Sequence, residues 1–157
     1  MKTQKFNTEE VLLKIKRYCA YQERCTSEVK NKLKLWGLSD KETLEIINEL
    51  TESQYIDNLR YATLFASGRM RLKGWGKQKI IYALRAKQVD EKHIQEAISK
   101  LDTTTYKVNL EKQAKKWMRT QTITNSYEQK QKLVRYLLNK GYEYADIQEF
   151  LKHHTKQ

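Results

Sequence analysis

The sequence predicts an all-α protein made of three tandem three-helix repeats in an elongated, curved helical array, and three observations carry that prediction. The 157-residue chain contains no proline, a residue that costs a helix interior about 3 kcal/mol. Apolar residues recur at helical spacing, and no sustained period-2 alternation marks a strand. Three long stretches also align with one another without a gap.

The elements follow in order. Val11, Leu12, Ile15, Tyr18 and Cys19 share one face of the first helix, which Asn7 and Glu10 open at capping-box spacing. Thr26 is read as the cap of a second helix, and Ser39 with Glu42 opens a third. Asp57 caps a fourth, whose apolar face is Tyr61, Ala62, Phe65 and Leu72. Asp90 is the cap inside the next helix pair, Leu110, Ala114 and Trp117 mark a further helix, and Asn125 with Glu128 opens another.

The repeat lies in VKNKLKLWGLSDKETLEIINEL from Val29, IIYALRAKQVDEKHIQEAISKL from Ile80 and LVRYLLNKGYEYADIQEFLKHH from Leu133. Val29, Ile80 and Leu133 correspond, then Leu33, Leu84 and Leu137 one turn later. Gly37, Gln88 and Gly141 follow, then apolar Leu38, Val89 and Tyr142, and later Ile47, Ile98 and Leu151. Each stretch reads as a helix closed by a left-handed residue, a short turn and a second helix. Gln88 stands where glycine would close the helix without strain, so it must accept that conformation at a cost or use another turn. With an amphipathic helix upstream of each pair, the units fall at 7–52, 53–101 and 102–154. Neighbouring units should pack on one another, as in other tandem repeats.

Charge narrows the function. Lys and Arg number 31 against 19 Asp and Glu, a formal net charge of +12, while hydrophobic residues make up only 39%. Such a field attracts polyanions: nucleic acid, an acidic protein surface or an anionic membrane. No apolar run approaches the roughly 18–20 residues that span a bilayer. MKTQKFNTEE lacks the apolar segment of a signal peptide, so a cytoplasmic protein is expected. Cys19 and Cys25, six residues apart, match no C-x-x-C spacing, and are read as a core residue and a residue near a helix start. His93, His153 and His154 are not grouped with ligating partners, so neither metal nor cofactor is expected. No catalytic triad context or Gly-x-Ser-x-Gly occurs, and the economical reading is a binding protein rather than an enzyme.

GRMRLKGWGKQK, residues 68–79, gathers three of the five glycines among five basic side chains. A phosphate-binding P-loop would need glycine where Arg71 stands and a hydroxyl where Gln78 stands, after a strand. The stretch reads instead as the turn between the first two helices of the middle unit, with Trp75 covering it. From Asn58 to Val89 no acidic residue occurs, against eight basic ones: Arg60, Arg69, Arg71, Lys73, Lys77, Lys79, Arg85 and Lys87. A charge run is commonly a solvated face. Interleaved with Tyr61, Trp75 and Tyr82, this one reads better as a polyanion contact. A weaker version follows in the third unit: Lys112, Lys115, Lys116 and Arg119 on one helix face, then Lys130, Lys132 and Arg135. The expected contact residues are Arg69, Arg71, Lys73, Trp75, Lys77, Lys79, Arg85, Lys115, Arg119, Lys132 and Arg135.

Three segments resemble the RecX regulatory proteins. YCAYQERCTSEVKNKLKLWGL is similar to the family's opening repeat, with Arg24, Ser27, Lys32, Leu33 and Gly37 at comparable places. SQYIDNLRYATLFASGRMRLKGWGKQKIIYALRAKQV resembles its central stretch through Tyr55, Ile56, Asp57, Tyr61, Ala62, Gly76, Ile80, Leu84, Lys87 and Val89. KQKLVRYLLNKGYEYADI is similar to its C-terminal pattern. Departures are Gln88 for glycine, Leu59 and Arg60 where acidic and variable residues are common, and Ala83 for glutamate. The resemblance implies an all-helical, non-catalytic modulator, usually an inhibitor, of the RecA recombinase in DNA repair, recombination and the SOS response. It implies binding in the groove of the RecA–DNA filament and limits on filament extension, strand exchange and coprotease activity. DNA, single- or double-stranded, would be met directly or through the filament, and a monomer is expected. The competing reading is a stand-alone helical repeat that binds DNA or RNA without sequence preference.

Overall fold

The computed structural model describes residues 7–122 and 126–154. Among them it contains nine α-helices and no strand: α1 (Thr8–Tyr21), α2 (Thr26–Leu35), α3 (Asp40–Glu52), α4 (Asn58–Lys73), α5 (Lys77–Ala86), α6 (Glu91–Ser99), α7 (Thr103–Arg119), α8 (Ser126–Asn139) and α9 (Tyr144–His154). The Asn125–Glu128 capping box falls partly outside the described residues.

Most helix starts follow local chemistry. The Ser39 hydroxyl accepts from Glu42 N–H at 3.2 Å while the Glu42 carboxylate accepts from Ser39 N–H at 3.1 Å, a complete capping box. Asp57 accepts from Arg60 N–H at 2.9 Å. Three caps differ from expectation. Asn7 accepts from Glu9 N–H, not in a box with Glu10. Asp90 precedes α6 without a side-chain cap bond. Cys25, not Thr26, is the N-cap of α2, and its N–H donates to Glu28 at 3.2 Å. Thr26 is drawn off by a neighbour: its N–H donates to Asn58 Oδ1 at 2.9 Å, and Asn58 Nδ2 donates back to its hydroxyl at 2.9 Å.

The repeat appears as one turn used three times. Gly37, Gln88 and Gly141 have φ of 89°, 60° and 97°. After each, the next amide donates five residues back: Leu38 to Leu33, Val89 to Leu84 and Tyr142 to Leu137, at 3.2, 3.2 and 3.1 Å. This is the Schellman closure, which satisfies carbonyls that the helix end would strand. Gln88 therefore accepts the left-handed conformation. Gln88→Gly is expected to raise stability by about 0.5–1 kcal/mol, because relief of the Cβ clash outweighs the added chain entropy. Urea unfolding measures it, and an unchanged or lower midpoint counts against strain at this turn.

Packing divides the array into two cores. Val11, Ile15, Cys19, Val29, Leu33, Leu38, Ile46, Ile47, Leu50 and Ile56 enclose one within α1–α3 and the turn before α4. The other runs without interruption from Tyr61 and Ala62 on α4 through Ile80, Leu84 and Ile94 to Leu110, Leu137 and Ile147. Cys25 is the first helical group's contribution to that second core. Leu72 does not join the α4 face as expected: it is 83% exposed, and Met70 is the residue buried. One turn beyond Ala66, Met70 lies directly over the core-facing row, whereas Leu72 has rotated past it.

A candidate polyanion-binding face at the glycine turn

Residues 74–76 join α4 to α5 as expected, and they are also the joint between two helical groups. Gly74 (φ 65°) closes α4 in the left-handed conformation. Gly76 N–H then donates to the Lys140 carbonyl and Gln78 N–H to the Gly141 carbonyl, both at 2.8 Å. The Tyr142 hydroxyl, buried, donates to the Gly74 carbonyl at 2.7 Å. Lys77 N–H donates to the Tyr106 hydroxyl at 3.1 Å, and Asn109 Nδ2 to the Met70 carbonyl at 2.8 Å. Burial pushes the Tyr106 phenol up to about 12 and raises Tyr142 as well, so both remain neutral hydrogen-bonding groups. The amides that a P-loop would aim at phosphate are thus occupied within the protein, by carbonyls at Gly76 and Gln78 and by the Tyr106 hydroxyl at Lys77.

Around this joint the basic side chains fall into three groups. Arg69, Trp75 and Lys79 form a cation–π cluster with Phe65, a residue the sequence reading did not select. The Arg69 guanidinium lies 4.6 Å from the Phe65 ring centre and 5.5 Å from that of Trp75, with Lys79 Nζ 4.8 Å from Trp75. Lys77 Nζ sits 5.0 Å from the Tyr106 ring. These contacts cost the cations little of their charge, so they remain available to an anion while being held in place. The signal was readable as the i, i+4 pairs Phe65–Arg69 and Trp75–Lys79.

A second group is already neutralised. Arg85 donates from Nε and Nη2 to the two oxygens of Glu91, at 2.9 and 2.6 Å. Lys115 pairs with Glu111 at 2.7 Å. Lys87 and Arg60, from the acid-free stretch, reach Glu28 at 3.5 Å and Glu23 at 2.6 Å on the first helical group. Tertiary structure supplies the carboxylates that the local sequence omits. The Arg85 hydrogen bond, followed by that from Gln95, holds Glu91 down at about 2. A depressed carboxylate stabilises the fold fully above its ordinary value of 4.5 and loses that contribution as pH falls toward about 2. The difference in melting temperature between the protein and Glu91→Gln should therefore shrink across that acid window and stay constant above it. A gap that persists at the acid end would contradict the pairing.

The third group is exposed: Arg71, Lys73, Arg119, Lys132 and Arg135 make no ion pair among the described residues. Arg71 and Lys73 end α4, and α7, which carries Arg119, packs beside that end through Asn109. Lys132 and Arg135 lie on α8, one helix further on. The expected contact residues thus lie on four helices, α4, α5, α7 and α8, and in the turn at Trp75. No group of three or more His, Cys, Asp or Glu residues suited to a metal occurs among the described residues. No helix there is long and apolar enough to cross a membrane.

Fold and site together define a helical-repeat protein with a cation-rich joint at its middle. The family model for the RecX second three-helix domain matches residues 57–98, and that for the third three-helix domain matches residues 108–151, together more than half of the chain. The chain belongs to the RecX family. It is 28% identical over 135 residues to the regulatory protein RecX of Bacillus licheniformis, covering 86% of this chain and 51% of that protein. It is 34% identical over 128 residues to the Clostridium tetani protein of the same name, covering 79% and 57%. The chain thus spans about half to three-fifths of the length of these curated relatives. The fold is also that of two crystal structures: a regulatory protein RecX, with TM-score 0.84, 23% identity and coverage of 93% and 73%, and RecX from Lactobacillus salivarius, with TM-score 0.80, 22% identity and coverage of 93% and 95%.

Proposed function

We propose that this chain is a non-catalytic negative modulator of the RecA recombinase, acting in the cytoplasm on the RecA–DNA filament. Bound there, it limits filament extension, strand exchange and coprotease activity. The observation that carries the reading is membership of the RecX family together with cations on α4, α7 and α8 that make no ion pair among the described residues. A compact phosphate pocket would gather its donors at one point. A row of cations on α4, α7 and α8 instead suits an extended polyanionic groove, where protein lobes and DNA phosphates alternate. The three units at 7–52, 53–101 and 102–154 would then act as one arm, with the second and third held stiff by their common core.

RecA's DNA-dependent ATPase, measured with this protein titrated far below RecA stoichiometry, tests the reading. Inhibition at such ratios is the expected result, since one arm capping or splitting a filament silences many subunits. A stand-alone nucleic-acid binder would leave the ATPase intact until it coated the DNA. It would also bind naked duplex with a log–log salt slope near −5 for about six phosphates. Equal affinity for naked and RecA-coated DNA at one salt concentration would reject the filament reading.

A further inference from the structure

Three of the twelve large hydrophobic side chains exposed among the described residues converge on a single groove at α8 and α9. Tyr127, Val134 and Leu138 run along α8, and Tyr144 at the start of α9 forms the facing wall. Tyr127, Leu138 and Tyr144 are 67%, 44% and 60% exposed, an arrangement that leaves apolar area in water. The groove has a volume of about 480 Å³. Its charge is of one sign: Lys130 and Arg135 line it, and no carboxylate does. The cations bracket the apolar row, because positions 130 and 135 fall on opposite sides of the line through 127, 134 and 138 on a helix. Glu149, the acid on the adjoining face of α9, is turned to Lys107 at 3.8 Å.

We propose that this groove, which shares Arg135 with the cations assigned to the filament but includes no residue of the glycine turn, docks an acidic amphipathic helix of a protein partner. Length supports a helix: residues 127–138 span about 16 Å along α8, roughly three helical turns, room for anchors at i, i+4 and i+7. Charge supports acidity, since Glu or Asp flanking those anchors would meet Lys130 and Arg135 on either side. An extended strand has no sheet edge to join in an all-helical fold. A second copy of this chain, at +12, would bring like charge to like. Stacked nucleobases could use Tyr127 and Tyr144, but the aliphatic floor of Val134 and Leu138 offers them no ring to stack on.

The test titrates the protein with a synthetic helical peptide of roughly 16 residues, carrying leucine at i, i+4, i+7 and i+11 and glutamate on its flanks. A peptide of identical composition with scrambled leucine spacing and an oligothymidine serve as controls, all followed by amide chemical shifts and fluorescence anisotropy at near-physiological salt. Expected are saturable shifts confined to α8 and the first turns of α9, with the scrambled peptide at least about tenfold weaker. Leu138→Glu, at a side chain already in solvent, should weaken the periodic peptide about tenfold with the helical spectrum unchanged, and Lys112→Glu on α7 should leave it within about twofold. Equal binding of the scrambled peptide would show attraction by charge alone and overturn the proposal. So would shifts elsewhere, no saturation at millimolar peptide, indifference to Leu138→Glu, or tighter occupation of the groove by oligothymidine.

Discussion

Gly76→Ala is expected to destabilise the protein by about 3 kcal/mol, the upper end of the usual cost of overpacking. A Cβ at Gly76 would stand 2.2 Å from the Gly141 carbonyl carbon and 2.2 Å from the Tyr142 nitrogen. Both are backbone atoms, and neither can rotate away as a side chain could. Gly141 is equally enclosed, since its own Cβ would meet the Lys79 backbone nitrogen at 2.6 Å. Separating the two turns far enough to admit a methyl group would break the Gly76–Lys140 and Gln78–Gly141 hydrogen bonds. It would leave those groups unsatisfied inside the joint, at about 1–3 kcal/mol each if water cannot reach them. Gly68→Ala is the control in the same glycine cluster. It lies within α4 with open space around a new Cβ, so alanine should stabilise by up to about 1 kcal/mol. Urea unfolding of both variants measures the contrast. A Gly76→Ala midpoint indistinguishable from that of the parent would show that the joint yields, and that the two helical groups are not rigidly coupled.

Reversing Arg71 and Lys73 to glutamate should weaken binding to the RecA–DNA filament about 100-fold, if each lost cation is worth about 1.4 kcal/mol. Both side chains are exposed at the end of α4 and make no ion pair among the described residues, so helicity and melting temperature should hold. Arg85→Ala is the informative comparison. Its guanidinium already serves Glu91 through two hydrogen bonds, so removal should change filament affinity by no more than about twofold. Affinities measured by anisotropy on labelled filaments at fixed salt decide the matter. If Arg85→Ala weakens binding as much as the double reversal, net charge rather than an oriented face governs the contact. If the double reversal binds normally, the end of α4 is not part of it.

Much of the fold was legible because its instructions are local. The left-handed turn at Gly37, Gln88 and Gly141, with apolar residues at fixed offsets on either side, is a pattern of neighbours in sequence, and all three copies close with the same amide-to-carbonyl bond. Leu33, Leu84 and Leu137, matched by alignment, are each fully buried. Thr26 and Leu72 depart from the sequence expectation for two different reasons. Thr26 was claimed by Asn58, a partner 32 residues away that no helix-start rule can see. Leu72 failed on phase, since a helix turns about 100° per residue and a position two beyond Met70 leaves the buried row.

The candidate contact face was legible in composition but not in detail. A stretch of 32 residues without one acid reads as uniformly cationic, yet Glu23, Glu28 and Glu91 fold back onto Arg60, Lys87 and Arg85. The exposed cations left over are fewer than the sequence suggests, and they lie at helix ends rather than along the whole segment. Phe65 was overlooked because aromatic residues at i, i+4 from arginine are common on helices. Only the turn at Trp75 brings a second ring to the same guanidinium.

By itself, the sequence determined that this chain is helical, that it repeats, where each helix pair turns, and the sign of its net charge. Those properties depend on backbone conformation, side-chain periodicity and net charge, all additive along a chain. Tertiary structure alone decided that GRMRLKGWGKQK is a joint. Gly74 turns the chain, whereas Gly76 is needed for backbone contact with residues 140–142, more than 60 positions away. It also decided which cations keep their charge for a partner, because an ion pair depends on where a carboxylate ends up in space, and sequence separation says nothing of that.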